Sequence, residues 1–167
     1  MIQTDTIYPE NKNEMFQLLK LQAKALLEGE THVVANLANL SALLGSALPN
    51  INWVGFYLMH KGELLLGPFQ GKPACVHIAL GRGVCGTAAL RDETQVVRDV
   101  HQFSGHIACD CDSASEIVVP LRVLGRVVGV LDIDSPIIGR FDETDVHELE
   151  ETAVLIQNSC DWSQWKF

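Results

Sequence analysis

Apolar residues recur at helical spacing in the first quarter of the chain. Residues 11–28 carry this pattern, and Gly29 ends it. Thr31 is expected to be the N-cap of a second helix that ends near Gly45. One face of this second helix is apolar and consists of Val33, Leu37, Leu40 and Leu44. Two helices before any strand favour an α+β domain with an antiparallel sheet over a doubly wound parallel sheet.

Short runs of aromatic and branched residues follow and predict a sheet built from hairpins. The predicted strands are Trp53–Leu58, Glu63–Leu66, Val76–Leu80, Thr94–Val97, Glu116–Val123 and Val127–Ile133. A short helix is predicted at Gly83–Leu90, and Asp142 is expected to cap the last helix. Turns are expected at 60–62 and 124–126. Residues 100–112 show no period but carry two histidines and two cysteines, so they are interpreted as a functional loop.

Length and charge narrow the classes of function. The 167 residues fit one domain that spans the whole chain. The formal net charge of −9 disfavours binding to nucleic acid or to anionic lipid. The first residues do not read as a secretory signal, and no apolar run approaches the length of a membrane span. We therefore expect a cytoplasmic protein, whose thiols are kept reduced.

Four of the five cysteines lie between residues 73 and 121, next to glycine, histidine or acidic residues, and this pattern favours a redox pocket. Cys85 opens the short helix, and a helix N-terminus is expected to lower its thiol pKa. Cys109 and Cys111 lie on a polar loop, where packing gives little reason for a cysteine. Cys160 is expected to be an ordinary core residue. The odd number of cysteines argues against a static disulfide framework.

Carboxyl groups are expected to converge at one end of the last hairpin. Asp132 and Asp134 share a face of their strand because side chains alternate. Glu116 lies near them if the hairpin turns simply around Gly125. Like charges held together raise a carboxyl pKa, which suits a general acid. The alternative is that these acids cap strand ends in solvent.

Aromatic residues on the first strand offer a second wall for the same pocket. Trp53 and Tyr57 share one face of this strand, whereas Phe56 points to the other. Amphipathic rings of this kind line binding pockets, and the alternative is that they pack in the core.

Other chemistries are disfavoured. The spacing of His101, His106, Cys109 and Cys111 matches no standard zinc pattern, so no metal site is predicted. The chain has no G-x-S-x-G elbow of a serine hydrolase and no G-x-G-x-x-G or P-loop motif for a nucleotide.

The motifs in this order resemble those of the free methionine-(R)-sulfoxide reductases, a family of GAF-domain proteins. They are GPFQGKPAC ending at Cys75, GRGVCG around Cys85, HIAC ending at Cys109, SEIVVP from Ser115 and GVLDIDS from Gly129. Sensory GAF domains are similar in fold but lack the three cysteines in this order. A non-catalytic GAF module that binds a small ligand or senses redox state is therefore the alternative interpretation.

The resemblance implies a GAF fold with a central antiparallel sheet of about six strands, flanked by helices on both sides, and a homodimer. It also implies reduction of free L-methionine (R)-S-oxide, with thioredoxin as the external reductant and no bound cofactor. Three cysteines match the family: Cys75, Cys85 and Cys109. Its pocket acids and aromatics match Glu116, Asp132, Asp134, Trp53 and Tyr57.

On this basis we assign attack on the sulfoxide sulfur to Cys109 and proton delivery to Glu116 or Asp134. The resulting sulfenic acid is resolved by Cys75 or, failing that, by Cys85. Cys111 lies outside the family pattern, so it is a further candidate for the resolving thiol.

Overall fold

The computed structural model describes residues 6–103 and 112–165, and it is an α+β fold around one antiparallel sheet. Its helices are α1 (Lys12–Leu27), α2 (Val33–Ala47), α3 (Gly83–Arg91) and α4 (Glu143–Ser159). Its strands are β1 (Trp53–His60), β2 (Glu63–Gln70), β3 (His77–Ala79), β4 (Gln95–Val97), β5 (Ser115–Val123) and β6 (Arg126–Ser135). The sheet order is β3-β2-β1-β6-β5-β4. The predicted six-stranded antiparallel sheet is thus confirmed.

The predicted ends of most elements agree with the structure to within two residues, and β2 is the exception. It continues to Gln70, four residues beyond the predicted end at Leu66. The pairing of β1 with β2 shifts register between Gly55 and Tyr57, so that Gly67 and Pro68 lie in an irregularity. The predicted strand ended with the leucine run at Leu66, whereas the observed strand continues through this bulge.

Two of the predicted helix starts can be compared with the structure. Asp142 caps α4 as predicted, through a capping box in which its side chain accepts from the Asp145 backbone and the reverse bond is also present. The prediction that Thr31 caps α2 is wrong, because the N-cap is His32, which makes no side-chain capping bond. The Glu30 carboxylate instead accepts a hydrogen bond from the backbone N–H of His32 at 2.7 Å.

The sheet separates two cores. Helices α1, α2 and α4 cover one face, where they bury Phe56, Ile117 and Leu131. Helix α3 covers the opposite face and packs against β5 and β6 over residues such as Val118 and Val130. The helices therefore flank the sheet on both sides, as expected. No helix of the part of the chain described here is long and apolar enough to cross a membrane.

An ion network joins the start of α4 to distant segments. Asp145 is buried, and it accepts two hydrogen bonds from Arg140 at 3.0 and 3.1 Å and one from Lys12 at 2.7 Å. Arg140 also donates to the backbone carbonyl of Pro49 at 3.0 Å. These contacts connect α1, α4 and the segment before β1, so they hold the helical layer to the sheet.

Candidate active site

The last hairpin brings the predicted acids together. Glu116 on β5 lies directly opposite Asp134 on β6, and Trp53 of β1 pairs with Asp134 from the other side. Asp132 lies two residues along the same face, opposite Gly55 of β1. A Cβ atom at Gly55 would lie 2.7 Å from the Trp53 ring, so glycine leaves room for that ring next to the acids. All three carboxyl groups therefore lie at one end of the sheet, although the hairpin is not the simple one expected, because its register shifts between Leu121 and Arg122.

A cavity opens above these acids, between the sheet and the start of α3. It contains about 520 Å³ of space outside the atoms, part of which is open to solvent. All five predicted pocket residues line it: Trp53, Tyr57, Glu116, Asp132 and Asp134. The lining residues that were not predicted include Pro73, Arg82 and Ser113. Their only sequence signal is proximity to Cys75, Cys85 and Cys109.

One thiol and two carboxyl groups form a tight buried cluster in this cavity. The Sγ atom of Cys85 donates to Oε1 of Glu116 at 3.9 Å, and one ligand atom each of Cys85, Glu116 and Asp132 lies within 4.8 Å of the others. The Oδ1 atom of Asp132 is buried and has no hydrogen-bond partner among the described residues. Such a group of acids could hold a small cation, whether a metal ion or the ammonium of a ligand.

Burial raises the pKa of Glu116 and of Asp132 above the ordinary value of each carboxyl group. The pKa of Glu116 is raised well above its usual value, first by burial and then by the nearby Asp132 and Asp134. Burial also raises the pKa of Asp132 to about 6, although hydrogen bonds from Cys85 and Glu116 oppose the change. A carboxyl group that retains its proton near neutral pH can act as a general acid.

The expectation that the helix N-terminus lowers the thiol pKa of Cys85 is wrong. Cys85 is only 4% exposed, and burial raises its pKa well above the ordinary value, with further increases from Asp132 and Glu116. Desolvation and two neighbouring acids outweigh the small favourable effect of a helix dipole. Cys85 therefore stays a neutral thiol, which is a weak nucleophile.

The start of α3 faces the acids across the cavity. Gly83, Val84 and Cys85 form its first turn, line the cavity and are buried. The N-cap, Arg82, makes no side-chain capping bond, so the first backbone N–H groups of α3 have no side-chain acceptor at the cap. This positive helix terminus faces Asp132, which becomes negative above about pH 6, so the cavity has two poles of opposite sign.

The cysteines divide into two states. Cys75 is disulfide-bonded, whereas Cys85 and Cys160 are free. Cys160 is half-buried and packs against the core between the sheet and helices α1, α2 and α4. The assignments to Cys109 and Cys111, and the histidine at position 106, fall outside the described residues.

The chain matches the GAF domain family over residues 40–158. It is 50% identical to the free methionine-R-sulfoxide reductase of Escherichia coli strain K12 over 156 residues, which cover 93% of this chain and 94% of that protein. The enzyme of the same name from Saccharomyces cerevisiae is 47% identical over 158 residues, which cover 90% of this chain and 88% of that protein.

Solved structures agree with these relatives. The free methionine-R-sulfoxide reductase of Neisseria meningitidis, solved in complex with its substrate, superposes with a TM-score of 0.91 at 43% identity over 95% of this chain and 96% of that one. The chain therefore belongs to the free methionine-R-sulfoxide reductase family of GAF-domain proteins, as its motifs predict.

Proposed function

We propose that this oxidoreductase reduces free L-methionine (R)-S-oxide to L-methionine by thiol chemistry. The observation that carries the proposal is that Glu116, Asp132 and Asp134 converge on one cavity, where the two buried acids Glu116 and Asp132 lie beside a thiol. Relatives with about half of their residues in common are named for this activity, and the Neisseria structure contains its substrate.

The acids supply what the sulfoxide oxygen needs. When a thiolate attacks the electrophilic sulfur, protonation of the sulfoxide oxygen lets the S–O bond of the substrate break as the hydroxyl passes to the cysteine sulfur. We assign the proton to Glu116, because burial and the neighbouring Asp132 and Asp134 raise its pKa well above the ordinary value and so favour its protonated form. Asp134 lies directly opposite Glu116 and is the second candidate.

The two poles of the cavity suit a free amino acid. The substrate ammonium would pair with Asp132, whose buried Oδ1 atom has no partner among the described residues. The substrate carboxylate would accept hydrogen bonds from the start of α3 at Gly83 and Val84. The methyl group would pack against Trp53. A peptide-bound methionine has neither charge at these positions, so it would leave a buried carboxyl group unpaired.

We assign the nucleophile to Cys109. Ser113 lines the cavity, and Cys109 precedes it by only four residues in the sequence. The attack transfers the sulfoxide oxygen from the substrate sulfur to the Cys109 sulfur, so its products are methionine and a sulfenic acid on Cys109. Cys75 then displaces that oxygen as water and forms a disulfide with Cys109. The disulfide-bonded state of Cys75 and the buried neutral thiol of Cys85 both favour Cys75 over Cys85 as the resolving residue.

The proposal also names the external reductant that completes the catalytic cycle. An external dithiol, for which we propose thioredoxin, attacks the disulfide and restores both thiols. The cycle needs only thiols and protons, so it requires no bound cofactor or metal. The 1–167 single domain, the cytoplasmic location and the homodimer stay predictions.

The test is a coupled assay in which thioredoxin and its reductase oxidise NADPH. We expect turnover with free methionine (R)-sulfoxide and less than about 1% of that rate with the S epimer or with N-acetylmethionine (R)-sulfoxide. Equal rates with the N-acetyl compound would contradict recognition of the ammonium. Tight binding of the free sulfoxide without any methionine formed would favour the alternative of a non-catalytic GAF module.

A further inference from the structure

The segment 71–76, here called the Cys75 loop, crosses the aromatic wall of the cavity between β2 and β3. Two buried side chains of β1 donate hydrogen bonds to its backbone. The hydroxyl of Tyr57 donates to the carbonyl oxygen of Cys75 at 3.0 Å. The indole N–H of Trp53 donates to the carbonyl oxygen of Lys72 at 3.1 Å. These two bonds attach the loop to the most central part of the sheet.

The donor of the first bond is fixed in place. Tyr57 is 1% exposed, and its ring stacks with Trp53 at a centroid separation of 6.0 Å. Trp53 in turn stacks on Phe69 at 5.3 Å. Burial raises the pKa of Tyr57, so its hydroxyl remains protonated and remains a donor. Because this proton is directed at the Cys75 carbonyl, the hydroxyl of Tyr57 serves the loop rather than the sulfoxide oxygen.

The loop is also fitted closely to Trp53. Gly71 has a φ of +135°, which side-chain-bearing residues rarely adopt, and a Cβ atom there would lie 2.5 Å from Cδ1 of Trp53. Lys72 forms an ion pair with Asp112, the residue that directly follows Cys111 in the sequence. The loop therefore has one defined position on the aromatic wall, and Cys75 has that position with it.

We infer that Tyr57 is a positioning residue for the resolving cysteine: its hydroxyl holds the Cys75 backbone where the Cys75 thiol can reach the sulfenic acid. This inference rests on the proposed function, and it concerns the step after methionine is released. In that step the Cys75 thiol attacks the sulfur of the sulfenic acid, an S–S bond forms, the S–O bond breaks and water leaves with the thiol proton. Loss of the hydrogen bond lets the loop leave its position, so this step slows.

The test is Tyr57→Phe, which retains the ring and removes only the hydroxyl. Wild type and variant are mixed with stoichiometric free methionine (R)-sulfoxide without reductant. Methionine release reports the first step, and the lifetime of the sulfenic acid, trapped with dimedone and read by mass spectrometry, reports the second. We expect the ratio of the second time constant to the first to rise about fivefold, which corresponds to about 1 kcal/mol for one hydrogen bond.

The matched control is Tyr8→Phe, which removes a tyrosine hydroxyl that donates to Gln22 at 2.7 Å, far from the cavity in sequence. This ratio should not change in the control. A second variant, Gly71→Ala, displaces the same loop from Trp53 without altering Tyr57, and it should also prolong the sulfenic acid.

The possible failures are distinguishable. Normal methionine release with an unchanged sulfenic acid lifetime in Tyr57→Phe would overturn the positioning role alone. If Tyr57→Phe did not fold, normal methionine release with an unchanged sulfenic acid lifetime in Gly71→Ala would overturn the positioning role instead. Absence of methionine release from the wild-type protein would overturn the proposed function and this inference together.

Discussion

Replacing Asp132 by asparagine should make the protein more stable at neutral pH and less active. Burial raises the pKa of Asp132 to about 6 from its ordinary value of 3.8. A carboxyl group with a raised folded-state pKa binds more protons in the folded than in the unfolded state between those two values. Its contribution to stability is therefore lost as pH rises from 3.8 towards 6. The loss is about 3 kcal/mol, from a shift of roughly two pH units at 1.36 kcal/mol each.

Asparagine cannot ionise, so the variant escapes this loss. The free energy of unfolding in urea is measured for both proteins at a series of pH values between about 4 and 7.5. The difference between Asp132→Asn and the wild type should increase by about 2–3 kcal/mol in favour of the variant over this range, and most of the increase should occur below about pH 6.5. The value of kcat/KM for free methionine (R)-sulfoxide should fall by about 10- to 100-fold, because a buried charged partner of the ammonium is lost.

A stability difference that does not change with pH would refute this reasoning, because it would mean that Asp132 ionises as easily in the folded protein as in the unfolded one. Glu143→Gln is the control, since it removes an exposed carboxyl group at the start of α4.

Three further substitutions test other parts of the account. Glu116→Gln should lower kcat/KM by at least about 100-fold with a smaller change in KM, because a general acid contributes about 10²- to 10⁴-fold; a change below threefold would favour Asp134 as the proton donor. Cys111→Ser should have little effect on turnover, and loss of the disulfide in this variant would instead make Cys111 the resolving residue. Arg140→Met should cost about 3 kcal/mol in urea unfolding, because it removes one of the two cations that pair with the buried carboxylate of Asp145 and leaves Lys12 as the other; a loss below about 1 kcal/mol would mean that Lys12 suffices.

The sequence predicted the acids well because their placement depends on local rules. Alternation assigned Asp132 and Asp134 to one face, and the turn at Leu124 and Gly125 brought Glu116 to the same end of the hairpin. A register shift between Leu121 and Arg122 then sets Glu116 opposite Asp134, whereas the turn alone would set it opposite Ile133. Both turn residues have positive φ angles, which match the twist of paired antiparallel strands. Such features can be seen in a short stretch of sequence.

Properties that depend on tertiary packing could not be predicted in this way. The thiol pKa of Cys85 depends on β5 and β6, which supply the acids that surround it and lie about 30 residues or more further along the chain. The hydroxyl of Tyr57 binds a carbonyl 18 residues away across the aromatic wall. The irregular pairing near Gly67 depends on its partner strand, so no pattern within β2 predicts its length.

The central claim is that a free amino acid is reduced by Cys109 in the acid-lined cavity and that Cys75 resolves the product. Its most direct test is one reaction with stoichiometric free methionine (R)-sulfoxide in the absence of reductant, followed by quantification of methionine and mass mapping of the cysteines. The account predicts about one methionine per chain and a disulfide between Cys75 and Cys109. No methionine, or a disulfide that contains Cys85 in place of Cys75, would contradict it.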